Sequence, residues 1–159
     1  MSRRLRAIAV GAIVAIASLT GCSGGIPADP EGTLERVTGG TLRVGVSHNP
    51  PWTQLSQTSD PSGSEVELVR QYAEQLGAET EWTEGSEAPL VEALERGELD
   101  LVIAGFHDDT PWTEMAAVTA PYAESTDADG KTRRHVMLAP MGDNAFLVSV
   151  EHFLRNSEG

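Results

Sequence analysis

Apolar positions along the chain follow two rhythms. Thr41-Leu-Arg-Val-Gly-Val46 reads as a buried strand after Gly39-Gly40, and Leu99 to Ala104, nearly all apolar, reads as another. Ala78 to Thr83 and Arg134 to Ala139 have the length and flanks of two more strands. Between them the apolar period lengthens. Val66, Val69, Ala73 and Leu76 recur at helical spacing behind a Ser64-x-x-Glu67 capping box, and Gly77 supplies the stop. Leu90, Val91 and Leu94 form the face of a second helix, capped by Ser86, carrying Pro89 in its first turn and ended by Gly97. Phe146, Leu147, Val150, Phe153 and Leu154 line a last helix behind Asp143, and a short helical stretch spans Thr33 to Val37.

Strands that alternate with helices at this spacing pair in parallel through right-handed crossovers, so the first half is an α/β layer structure with its strand ends on one rim. After the third strand come a polar loop, Gly105 to Pro111, a helical turn from Trp112, and a surface turn from Ser125 to Lys131.

The N-terminus obeys different rules. Arg3, Arg4 and Arg6 precede an apolar stretch from Ala7 to Leu19, too short for a comfortable membrane span, and Leu19-Thr20-Gly21-Cys22 closes it. This run resembles the lipobox at which bacterial lipoproteins are diacylated and cleaved. The expectation is a signal peptide over residues 1–21, lipidation at Cys22, a flexible tether over 22–30 rich in Gly, Pro and Ser, and a folded unit over 31–159. Removing 21 of 159 residues leaves 138, one domain of ordinary size, and excludes a second large one. The leader takes three arginines and no acid with it, so the formal charge moves from −13 to −16. Such a surface repels nucleic acid. With no cysteine beyond Cys22, disulfides and thiolate metal sites are excluded from the folded part.

Several pieces stand in a recognisable order: Leu42-Arg-Val-Gly-Val46, Asn49-Pro-Pro-Trp52, Gly63-Ser-Glu-Val-Glu-Leu68, Leu94 to Gly105, and Thr119-Ala-Pro-Tyr122. Together they resemble the family 3 bacterial extracellular solute-binding proteins, the amino-acid-type receptors of ABC transporters. The match runs from about Thr41 to Tyr122 and resumes at His135 to Leu154. The resemblance implies one lobe of a periplasmic-binding-protein-like type II fold, a mainly parallel sheet with flanking helices. It also implies an extracytoplasmic receptor for a small solute, partnered by a membrane permease.

Two departures qualify it. Family members carry a second lobe between the segments that correspond to Tyr122 and His135, and here only twelve residues separate those positions. A lobe of about a hundred residues does not fit there. The family's amino-acid binders also place an arginine shortly after the third-strand glycine, where its planar fork holds the ligand carboxylate. Here Gly105-Phe-His-Asp-Asp-Thr-Pro-Trp-Thr113 has none, and no Lys or Arg occurs between Arg96 and Lys131. Asp108 and Asp109 in its place make a cationic or neutral solute the expectation.

The candidate rim is Asn49, Pro51, Trp52, Glu65, Gly105, Phe106, His107 and Thr110. Trp52 offers an aromatic platform, or equally a cover for the sheet edge. The resemblance gives Glu65 a ligand-contacting role, while a first-turn acid is also favourable through the helix dipole alone. Gly105 and Phe106 stand where open α/β sheets offer backbone groups to ligands. His48, His107, Asp108 and Asp109 lack the spacing of a metal site, and no nucleophile elbow, phosphate loop or dinucleotide fingerprint is present, so no cofactor and no catalytic role are expected. A single open lobe leaves solute in water unless a second copy, as in a homodimer, or a membrane protein supplies the other wall. The alternative is an adaptor lipoprotein that regulates a transporter or sensor without its own solute.

Overall fold

The structure is a computed structural model, and it describes residues 30–157. The expected signal peptide, Cys22 and nearly all of the tether lie outside the described residues. The chain forms α1 (Thr33–Val37), β1 (Thr41–Val46), α2 (Ser64–Leu76), β2 (Glu79–Glu84), α3 (Glu87–Glu95) and β3 (Leu101–His107). A 3-10 turn (Pro111–Glu114), β4 (Ala117–Val118), β5 (Ala123–Thr126), β6 (Thr132–Ala139) and α4 (Asn144–Ser157) follow.

Six strands make one sheet in the order β2-β1-β3-β6-β4, with β5 also on β6. β1 pairs in parallel with β2 and with β3, as the strand–helix alternation predicts. β6 then runs antiparallel to β3, β4 and β5, so the sheet is mixed. Its two faces explain the unbroken apolar run of β3. Leu101 and Ile103 join Leu42, Val44, Val46, Val66, Val69, Tyr72, Phe146 and Val150 on one side. Val102, Ala104 and Phe106 join Leu90, Val91, Leu94, Val136 and Leu138 on the other. A strand buried on both faces has no polar positions to alternate with.

Sequence and structure part at the caps and at one turn. No side chain caps α2: its N-cap is Gly63, and Glu67 lies 4.0 Å from Arg70 instead of closing a box with Ser64. The loop before the helix takes over that role, because the Ser64 and Glu65 N–H groups donate to the Pro51 and Trp52 carbonyls at 3.3 and 3.1 Å. A Cβ at Gly63 would stand 2.3 Å from the Trp52 oxygen, so this approach requires glycine. Ser86 occupies the N-cap of α3 without a side-chain hydrogen bond. The Asp143 carboxylate accepts from the Thr33 hydroxyl and, at 3.2 Å, from the Glu31 N–H, tying α1 to the start of α4.

The expected surface turn begins too early. Ser125 and Thr126 belong to β5, which pairs with Thr132 to His135, and the turn contracts to Asp127–Lys131, closed by the Asp127 N–H on the Lys131 carbonyl at 2.9 Å. Both strands are polar here, and backbone pairing with β6 rather than an apolar face makes β5 a strand. β5 and β6 are thus joined directly as a hairpin.

Candidate functional site

The rim lies at the carboxyl ends of β1 and β3. The loop Asn49 to Thr53 is fastened at each end: the Asn49 side-chain amide donates to the Ala104 carbonyl at 2.7 Å, and the Thr53 hydroxyl to the Ser47 carbonyl at 2.5 Å. The Pro50–Pro51 peptide bond is cis, and both prolines are exposed. Trp52 is half-buried and stacks on His135, with ring centroids 3.7 Å apart and planes 29° from parallel. One indole face is therefore already covered by the protein.

Glu65 is fully buried. Its Oε2 accepts the Gly105 N–H at 2.7 Å and its Oε1 accepts the Tyr122 hydroxyl. Burial pushes this carboxyl up to about 7, against the pull of the Tyr122 and Gly105 hydrogen bonds toward the charged form. Burial and the neighbouring carboxylate hold the Tyr122 phenol well above its usual range, hence protonated. Gly105 itself adopts φ +63°, and a Cβ there would lie 2.6 Å from Asn49 Nδ2 and 2.9 Å from Trp52 Cδ1. The rim is thus one packed unit of Asn49, Trp52, Gly105 and Glu65.

Two expectations change. Gly105 does not offer its N–H to a solute, because Glu65 has taken it. Phe106 does not face the rim: it pairs with Val136 in the ladder and packs its ring in the core beside α3. Of the remaining rim residues, Asn49 and Pro51 are exposed and Trp52 is half-buried. His107 is half-buried with its ring 4.8 Å from that of His135, and Thr110 is buried with a hydroxyl that has no hydrogen-bond partner.

The structure also adds residues. His135, 1 % exposed, holds Ser125 Oγ at 2.8 Å through Nε2 and leaves Nδ1 without a partner. Burial and the nearby His107 push its pKa down, while the Gly105 carbonyl and Asp127 pull the other way. Nothing in the sequence marked this residue as part of the site, since it stands where β6 passes from its polar to its apolar half and meets Trp52 only through the β3–β6 pairing. The anionic loop is neutralised in the same way. Asp108 pairs with Arg134, Asp109 with Arg133 at 3.2 Å and Lys131 at 3.8 Å, and Asp127 with Arg133 at 2.6 Å. The gap in basic residues ends at Lys131, and the hairpin brings the cations beyond it back to the loop.

Behind Trp52 a cleft of about 170 Å³ opens between Ser64, Leu68, Tyr122 and Leu154. This is below the roughly 300 Å³ at which ligand pockets begin. Among the described residues no group of three His, Cys, Asp or Glu side chains is placed to hold a metal ion. No helix among them is long and apolar enough to cross a membrane.

The curated relatives include membrane-bound lytic murein transglycosylase F of Vibrio cholerae serotype O1, 35 % identical over 89 residues. That stretch is 55 % of this chain but 16 % of the relative. The protein of the same name in Vibrio campbellii is 34 % identical over 87 residues, 52 % of this chain and 16 % of its own. The chain thus spans about a sixth of the length of these relatives. Among solved structures, the arginine-bound form of domain 1 from TmArgBP superposes with a TM-score of 0.67 at 23 % identity, covering 77 % of this chain and 97 % of that one. An ancestral cationic amino acid solute binding protein gives 0.67 at 15 % identity, over 79 % and 93 %. These likenesses show the fold, a single periplasmic-binding-protein-like lobe. Residues 42–155 match the bacterial extracellular solute-binding proteins, family 3, and the chain belongs to that family.

Proposed function

We propose that this chain is an extracytoplasmic receptor for a small cationic or neutral solute, tethered through lipid at Cys22 after loss of residues 1–21, and associated with a membrane transporter. Membership of an extracellular solute-binding family implies the location outside the cytoplasm, small-molecule binding and a transporter partner. The observation that carries the single-lobe form is the arginine-bound form of the lone domain 1 of TmArgBP, which this lobe matches almost end to end. One lobe of this shape is thus sufficient to hold a solute in that protein. Solute here would lie over Asn49, Pro51, Trp52, Gly105, His107 and Thr110, where the exposed Asn49 and Pro51 and the half-buried Trp52 and His107 are the available groups. No catalytic role is proposed.

The test is a thermal-unfolding screen against cationic, neutral and anionic metabolites. A ligand that binds only the folded state raises the midpoint by mass action. A saturable rise with one solute class, reduced at least tenfold in apparent affinity by Trp52→Ala, is the expected outcome. No rise from any solute at millimolar concentration overturns the reading.

A second reading has its own support. The transglycosylase relatives are about six times longer than the stretch they share with this chain, so in them the shared segment is one part of a larger membrane-bound protein. A lobe whose rim groups are largely engaged internally suits an adaptor that regulates a membrane protein without solute. A negative screen combined with retention on the partner membrane protein favours it.

A further inference from the structure

We infer that Glu65 is a positioning residue of the rim and that a proton leaves it when a cationic solute binds there. The inference rests on the receptor reading. Three segments converge on this residue: its own N–H holds the Trp52 carbonyl at 3.1 Å, one carboxylate oxygen holds the Gly105 N–H at 2.7 Å, and the other holds the Tyr122 hydroxyl. Gly105 in turn lies against Asn49 and Trp52. With no exposed surface, Glu65 acts on a solute through these neighbours and not by touching it.

The choice of a carboxylate is the informative part. Its partners are a backbone amide and a phenol, and among the described ion pairs no lysine or arginine approaches it. A buried charge without a cation is costly, and a neutral side chain of the same shape would tie the same segments together without that cost. The titratable groups nearest to it are few. Tyr122 faces it from the segment before β5, His107 on β3 and His135 on β6 lie across Gly105 and Trp52, and Glu67 on its own helix points to solvent. Burial holds the Glu65 carboxyl near neutrality, so a positive charge placed above Gly105 favours the ionised form and releases the proton to bulk buffer. By reciprocity, affinity for that cation rises with pH through about 7, tenfold for each unit by which the solute lowers the carboxyl pKa.

The experiment is calorimetric titration of the full chain with agmatine and cadaverine, cations without a carboxylate, between pH 6 and pH 8, in buffers of different protonation enthalpy, alongside carbon-13 NMR titration of the Glu65 carboxyl. The expected result is release of up to one proton per bound cation near neutrality and about tenfold tighter binding at the upper pH. Glu65→Gln should bind with a flat pH profile and no proton release while keeping its helical circular dichroism. Tyr122→Phe, which keeps the carboxyl but removes a donor to its charged form, should move the affinity transition to higher pH. Cation binding without proton release, or an unchanged profile in Glu65→Gln, overturns the inference and leaves the receptor standing. Binding of neither cation also overturns it, and the unfolding screen with neutral solutes then decides separately whether the receptor reading survives.

Discussion

Two buried acids mark the two ends of β3, and the protein treats them in opposite ways. Asp100, immediately before the strand, is clasped by Arg43 through Nε and Nη2 at 3.1 and 2.6 Å, by the Arg43 backbone N–H at 2.9 Å, and by Arg36 at 2.5 Å. Although burial works to raise its pKa, the hydrogen bonds from Arg43 and Arg36 hold it below the usual carboxylate range. Glu65, at the far end of the strand, has only neutral donors, and burial prevails. The first acid is an ionised rivet joining α1, β1 and β3. The second is a charge that the fold does not compensate, and it sits under the rim where a solute would lie. Stability is concentrated at one pole and tunability at the other.

Removing the rivet should have the largest effect. Asp100→Ala leaves two guanidinium groups facing each other without their carboxylate, and a loss of about 3 kcal/mol is expected, read as a lower urea midpoint with an unchanged slope. The contrast fails if this change is as mild as a surface substitution. Next is the pH dependence of Glu65. Its folded-state pKa lies above the value of 4.5 for the free side chain, so the folded state binds the extra proton and its stability falls as pH rises from about 4.5 to 7. Over that window the wild type should lose on the order of 2 to 3 kcal/mol relative to Glu65→Gln, with no further change above the folded-state value. Chemical denaturation at half-unit pH steps measures it, and parallel curves would remove the distinction between the two acids. A smaller effect, about 2 kcal/mol, is expected for Gly105→Ala, from the unfavourable φ and the contact with Asn49 and Trp52. Loss of near-ultraviolet dichroism from Trp52 with preserved helical signal would show that the damage is confined to the rim.

How much of this was legible depends on the range of the interactions. β1, β3, α2 and α4 were readable because burial imposes a local apolar period, and the family order of motifs follows from them. Gly77 and Ser86 stand at the helix boundaries the sequence assigns them. The Ser64–Glu67 box failed because a distant loop supplies carbonyls to the same N–H groups, which no local pattern encodes. β5 was missed for a related reason: its residues are polar and it exists only by pairing with β6. At the site, Trp52 and Glu65 could be named from the loop and helix that carry them, but not the partners that define their environment. His135, Tyr122 and the Arg133 and Arg134 pairs arrive from segments more than fifty residues from Glu65, or twenty from Asp108. The acids of the rim loop were legible, but not the Arg133 and Arg134 side chains that pair with them, because those cations come after the loop and not within it.

The Asp127–Lys131 turn has a further meaning. Its ends are held one hydrogen bond apart, at the tip of a hairpin whose ladder is complete without anything beyond it. Such a tip is a natural splice point: a foreign domain whose two termini adjoin could be carried there without opening the sheet beneath.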